Sequence, residues 1–204
     1  MKVAIFDYGA GNLHSLQGAI QRLGFQCVRA TAPAEAAESG TLVLPGVGHF
    51  TAARNRLVER GWWDLLAPMA RAGRPLLGIC LGLQLLAEGS EEAPGEAGLG
   101  LLPGKSRLLG PGVKVPNMGW GRVKAERRHP ALPILGEDWL YFVHSYALDV
   151  DADTVLASTH GRPFAAMQAR DRVMGFQGHP EKSGEFGERL LKGALAWLGE
   201  APCA

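Results

Sequence analysis

Apolar residues along the first half of the chain fall into short runs. Residues 2–6, 26–29, 41–44 and 75–79 read as strands. Runs such as Thr41-Leu42-Val43-Leu44 lack the polar alternation of a strand with one wet face, so both faces are expected to be covered. Between them the period changes to that of helices. Asn12 stands where a cap belongs, before a pattern that runs to Leu23 and stops at Gly24, and further helical patterns occupy residues 50–60 and 62–72. Strand alternating with helix predicts a three-layer α/β fold, an open and mostly parallel sheet with right-handed crossovers. After Glu91-Glu92-Ala93-Pro94-Gly95 the texture turns to short extended runs broken by Gly and Pro, at 106–109, 113–115 and 121–123. These predict an insertion of antiparallel hairpins. Residues 139–143 form a further strand, and an amphipathic helix over 184–198 closes a single domain spanning 1–204.

Composition narrows the classes of function. The 204 residues are 47% apolar, enough for a full core, and Lys+Arg at 21 nearly balances Asp+Glu at 20. Nucleic-acid and membrane-surface partners need a dominant cationic field, so neither is expected. Met1 leads directly into a strand pattern without the charged head and long apolar run of a signal peptide, and no run reaches transmembrane length. A cytoplasmic protein is the expectation. Cys27, Cys80 and Cys203 are widely spaced with no C-x-x-C, which indicates neither a disulfide framework nor a zinc site.

The chemistry concentrates at Gly78-Ile79-Cys80-Leu81-Gly82, where an apolar strand turns into a helix. This is a G-x-nucleophile-x-G elbow with cysteine in the nucleophile position: flanking glycines let strand and helix approach closely, and the helix N-terminus favours a thiolate. Such a cysteine needs a base. In His179-Pro180-Glu181, residues two apart in an extended segment point the same way, so Glu181 can hold the imidazole tautomer whose Nε2 takes a thiol proton. His144, at the end of the 139–143 strand, is the rival base and ranks second because no carboxylate lies within two or three residues. Pro45-Gly46-Val47-Gly48 follows the third strand, where an open parallel sheet carries function; taken alone it reads as a tight turn, and beside the elbow its N–H groups suit an oxyanion. Gln84 lies one turn beyond Cys80 on the same helix face. Gly9-Ala10-Gly11 starts like a dinucleotide loop but has His14 in place of the third glycine. Trp120, in the glycine-flanked turn expected at Pro116-Asn117-Met118-Gly119-Trp120-Gly121, is either an interface anchor or a core residue of the hairpins.

The elbow through Gln84, the Pro45–Gly48 loop and the late His179-Pro180-Glu181 resemble the class I, triad-type glutamine amidotransferases. Stretches 7–13, 116–120 and 141–146 resemble one branch of that family, in which a separate glutaminase subunit serves a cyclase. The resemblance implies a flavodoxin-like sheet, L-glutamine as substrate, no cofactor, and a heterodimer with a (β/α)8-barrel cyclase that takes the ammonia. It implies Cys80, His179 and Glu181 as the triad and the N–H groups of Val47 and Leu81 as the oxyanion hole. Gly46, Gln84, His144, Ser145 and Tyr146 would bind substrate, and Asn12, Trp120 and Lys182 would meet the partner. The alternatives are another glutaminase subunit of the same class, or a cysteine hydrolase or binding protein on the same fold. The chain departs from the family at Gly178, where an aromatic residue is usual, so the packing that steadies His179 is expected to be reduced.

Overall fold

Strand formation follows the apolar runs. A computed structural model of the chain describes residues 1–9, 11–132 and 137–199, so Cys203 lies outside the described residues. The first half comprises β1 (Lys2–Phe6), α1 (Leu13–Arg22), β2 (Gln26–Ala30), β3 (Thr41–Leu44), α2 (Phe50–Glu59), α3 (Trp63–Arg71), β4 (Leu76–Ile79) and α4 (Leu81–Leu86). The second comprises β5 (Gly89–Ser90), β6 (Lys105–Leu108), β7 (Asn117–Ala125), β8 (Glu137–His144), β9 (Tyr146–Ala147), β10 (Thr154–His160), β11 (Arg162–Arg170), β12 (Val173–Phe176) and α5 (Gly184–Gly199). Among the described residues, nine strands form one sheet in the order β2-β1-β3-β4-β12-β11-β10-β7-β8. The pairs from β2 to β12 are parallel, and those from β12 to β8 are antiparallel.

Side chains alternate across the parallel half and feed two cores. Val3, Ile5, Val43, Leu77 and Ile79 pack with residues of α1 and α5, while Ala4, Phe6, Leu42, Leu44 and Leu76 pack with residues of α2, α3 and α4. The sheet is therefore the middle of three layers, as the alternation of strand and helix predicts. No helix among the described residues is long and apolar enough to cross a membrane.

The antiparallel half extends this same sheet, and β10, β11 and β12 have no counterpart among the strands predicted from the apolar pattern. In β11, Ala165, Ala166 and Ala169 carry an intrinsic preference for helix, and burial of Phe164 through Ala169 removes the alternation that would mark a strand. Pairing with β10 and β12 overrides that preference. Conversely, residues 113–115 do not form a strand: Gly112 turns with φ +84°, and the Lys114 carbonyl accepts from His160 Nε2 at 2.8 Å.

Close backbone contact joins the elbow to its neighbours. A Cβ on Gly82 would lie 1.9 Å from the carbonyl oxygen of Leu44, and one on Gly78 would lie 2.7 Å from backbone atoms of Gly82 and Leu83. Gly82→Ala is accordingly expected to lower stability by about 3 kcal/mol or more, a loss of roughly 6–12 °C in Tm. Thermal denaturation reads this directly, and an unchanged Tm would refute the close approach.

Candidate active site

The carboxyl ends of β1, β3, β4 and β12 lie at one edge of the sheet because these strands are parallel neighbours. Cys80 follows β4 with φ 55° and ψ −111°, a strained conformation for a residue with a side chain, and it caps α4. β12 pairs with β4 in register, Phe176 beside Ile79, and the Cys80 N–H donates to the Phe176 carbonyl at 2.7 Å. The residues after Phe176 are thereby delivered beside the elbow.

His179 is 3% exposed, and its Nδ1 lies 2.9 Å from Glu181 Oε1, with the Glu181 side chain 2% exposed. The carboxylate accepts the Nδ1–H and leaves Nε2 for the sulfur. The route of this contact differs from the extended segment expected: Pro180–Lys182 form a single 3₁₀ turn that folds Glu181 back under the ring. Burial pulls the imidazole pKa down, but the hydrogen bonds and charges of Cys80 and Glu181 outweigh it and raise the value to about 10. An imidazole so placed is suited to take the proton of the thiol.

Gly178 leaves no gap. A Cβ there would meet the Tyr141 carbonyl oxygen at 3.1 Å, the Phe142 ring at 3.2 Å and Leu140 Cβ at 3.3 Å, so β8 already occupies the space beside residue 178. The backbone of His179 is held as well. Its N–H donates to the Tyr141 carbonyl at 2.8 Å, and its carbonyl accepts from the Ser183 hydroxyl at 2.6 Å. Ser183 also accepts from the Tyr141 N–H at 2.9 Å. The expected loss of packing is thus made good by strand β8.

A cavity of about 250 Å³ opens over the sulfur, lined by Cys80, Leu81, Val47, Gln84, His179 and Lys182 on one side and by His144, Ser145 and Tyr146 on the other. Leu81 opens α4, so its N–H has no acceptor within the helix. Gly46 is buried instead of lining the cavity: its Cβ position is 2.7 Å from the Gly82 nitrogen and 2.8 Å from Leu81 Cβ, which seats the Pro45–Gly48 loop on the elbow. His144 is not a base. Its Nδ1–H donates to the Tyr146 carbonyl at 3.0 Å and its Nε2 accepts from Asn117 Nδ2 at 3.3 Å, between the rings of Phe142 and Phe164. Burial above all lowers its pKa to about 4, so it is neutral at physiological pH. Asn12 caps α1 by accepting from Ser15 N–H, and Trp120 lies in strand β7 opposite Tyr141 and not in the expected turn, 56% exposed with its ring edge-on to Tyr141, outside the hairpin core.

Two residues at the site carry no role in the sequence reading. Glu92 lines the cavity and its Oε2 accepts from the Phe50 N–H at 2.8 Å. Gln177 is fully buried with its Nε2 3.8 Å from Cys80 Sγ. Glu92 stands in the acidic pair at the change of texture, and Gln177 lies two positions before His179, but nothing in either spacing marks a cavity wall.

A family model described as glutamine amidotransferase class-I matches residues 4–196. The chain is a class I glutamine amidotransferase. Relatives at higher similarity are named imidazole glycerol phosphate synthase subunit HisH: one from Desulfitobacterium hafniense is 42% identical over 201 residues, covering 97% of this chain and 95% of its own. Another, from Symbiobacterium thermophilum, is 43% identical over 194 residues, covering 93% and 91%. Among solved structures, one described as a glutamine amidotransferase matches with a TM-score of 0.78 at 19% identity, covering 97% of this chain and 99% of that one. PurLQS from Thermotoga maritima matches with a TM-score of 0.73 at 20% identity, covering 97% and 98%. At such identities the structures speak for the fold, which the amidotransferase family shares.

Because the folded pKa of His179 lies above its ordinary value of 6.5, the stability it contributes is complete below about pH 6.5 and is lost as the pH rises through about 10. NMR titration of the imidazole should find it protonated through neutral pH, and Cys80→Ala, which removes two of the raising influences, should bring the midpoint down. A wild-type midpoint near 6.5 would contradict the pairing.

Proposed function

We propose that this chain is the glutaminase subunit of an imidazole glycerol phosphate synthase of histidine biosynthesis, working in the cytoplasm as one amidotransferase domain. The observation that carries the chemistry is the convergence of Cys80 with the His179–Glu181 pair in one cavity. The Cys80 sulfur attacks the side-chain amide carbon of L-glutamine, and the imidazolium of His179 gives its proton to the leaving nitrogen. Ammonia departs and a thioester remains. Water, deprotonated by His179, then attacks the thioester, releasing glutamate and returning the proton to the pair. Glu181 fixes the tautomer and balances the charge of the imidazolium throughout.

The tetrahedral oxyanion of each step is held by the N–H of Leu81 and that of Val47. In the cavity, Glu92 offers a carboxylate to the α-ammonium group of glutamine. Gln84, Ser145 and Tyr146 form the opposite grip. The Tyr146 carbonyl already accepts from Gln84 Nε2 and His144 Nδ1, so its N–H is the group left for substrate. His144 acts there as a neutral wall, not as a proton carrier.

The ammonia goes to a separate (β/α)8-barrel cyclase, which uses it to make imidazole glycerol phosphate and a carboxamide ribotide. Asn12, Trp120 and Lys182 belong to the docking face, with the exposed Trp120 as its anchor. Glutaminase activity is weak until the partner binds.

In the assembled complex, Cys80→Ala should abolish glutamine-dependent synthesis and leave ammonia-dependent synthesis nearly intact; loss of both would give Cys80 a structural role only. Trp120→Ala should weaken partner affinity about tenfold or more, read by calorimetric titration. Unchanged affinity would remove Trp120 from the interface.

A further inference from the structure

Two buried amides connect the substrate wall to the sulfur. A backbone carbonyl only accepts hydrogen bonds, so the Gln84 side-chain atom 2.9 Å from the Tyr146 carbonyl is the amide nitrogen. The second N–H of that nitrogen meets Gln177 at 3.1 Å, where an acceptor is required, and this turns Gln177 Oε1 toward Gln84. The other end of Gln177, its Nε2, then faces Cys80 Sγ at 3.8 Å. One carbonyl thus dictates the orientation of both amides. Gln177 is fully buried, and its backbone N–H donates to the Ala166 carbonyl at 2.9 Å, which ties it to β11.

The sulfur has opposed neighbours. The Val143 carbonyl, 3.7 Å away, accepts a thiol proton and repels a thiolate, whereas the Gln177 N–H attracts a thiolate. Gln84 lines the cavity, and with both its N–H groups engaged its Oε1 is the atom left to meet a ligand.

We propose that Gln177 is a positioning residue of the glutaminase reaction: it holds an N–H donor against Cys80 Sγ, favouring the thiolate, and keeps the Gln84 carbonyl turned to the substrate. This rests on Cys80 being the nucleophile of a glutaminase. The two tasks separate by substitution. Gln177→Glu keeps an acceptor for Gln84 and replaces the donor at sulfur, whereas Gln177→Met keeps the length and loses both.

The test is the pH dependence of Cys80 alkylation by iodoacetamide in the full chain, followed on the Cys80 peptide by mass spectrometry, with glutamine hydrolysis measured alongside in the presence of the cyclase. Both variants should move the alkylation midpoint upward by about one pH unit or more and lower kcat about tenfold. KM should stay within about threefold for Gln177→Glu and rise further for Gln177→Met, which frees Gln84. Should Gln177→Met fail to fold, Gln177→Asn, one methylene too short to bridge, is expected to give the same upward shift.

A wild-type midpoint in the uncharged variant would overturn the proposal, because the effect of Gln177→Glu would then be charge repulsion alone. Glutamine hydrolysis that survives Cys80→Ala would sink the glutaminase chemistry itself. Activity that depends on Cys80 but is indifferent to residue 177 would sink only the role of Gln177.

Discussion

Parallel pairing of β12 with β4 is the constraint on which the site depends. The two strands are separated by about a hundred residues of chain, yet Phe176 lies beside Ile79 and its carbonyl takes the N–H of Cys80. Both strands end at the same edge, so the turn that strains Cys80 and the turn that folds Glu181 under His179 start from one level. Every element between them, including the antiparallel half of the sheet, is a long excursion that returns to this pairing. The loop after β3 joins from the other side, seated on the elbow through Gly46 and Gly82.

Two histidines of the same cavity illustrate how surroundings assign a role. Both are buried, and burial favours the neutral form in each. His144 has a carbonyl, an amide and two aromatic rings around it, none of which offers an anion, and it stays neutral. His179 has a carboxylate at one nitrogen and the sulfur at the other, and these reverse the effect of burial. The difference in charge state comes from the partners and not from exposure.

Much of this was legible along the chain. The apolar runs and caps located β1 to β4 and their helices but not β12, which is parallel to β4, and the elbow and His-Pro-Glu stretch named the residues that meet. What escaped notice depends on contacts distant in sequence. The alanines of β11 have no strand signal of their own and become a strand because β10 and β12 flank them. Gly178 looked like lost packing because the approach of Leu140, Tyr141 and Phe142 is a property of the folded sheet. Glu92 and Gln177 lack any motif, and they matter through the walls they form around atoms far away in the chain. Trp120 was ambiguous because its flanking glycines suggest a turn while pairing with β8 makes it a strand residue, and its exposure removes only the core reading.

The most direct test of the convergence of sulfur, imidazole and carboxylate is a crystal structure of the chain in complex with its cyclase and L-glutamine, with the Cys80→Ser variant slowing turnover. The account predicts the glutamine amide carbon about 3–3.5 Å from the residue 80 side-chain oxygen, with His179 Nε2 within hydrogen-bond reach of that oxygen and Glu181 still on Nδ1. Glutamine bound elsewhere, or an imidazole turned away from residue 80 with the ligand in place, would contradict it.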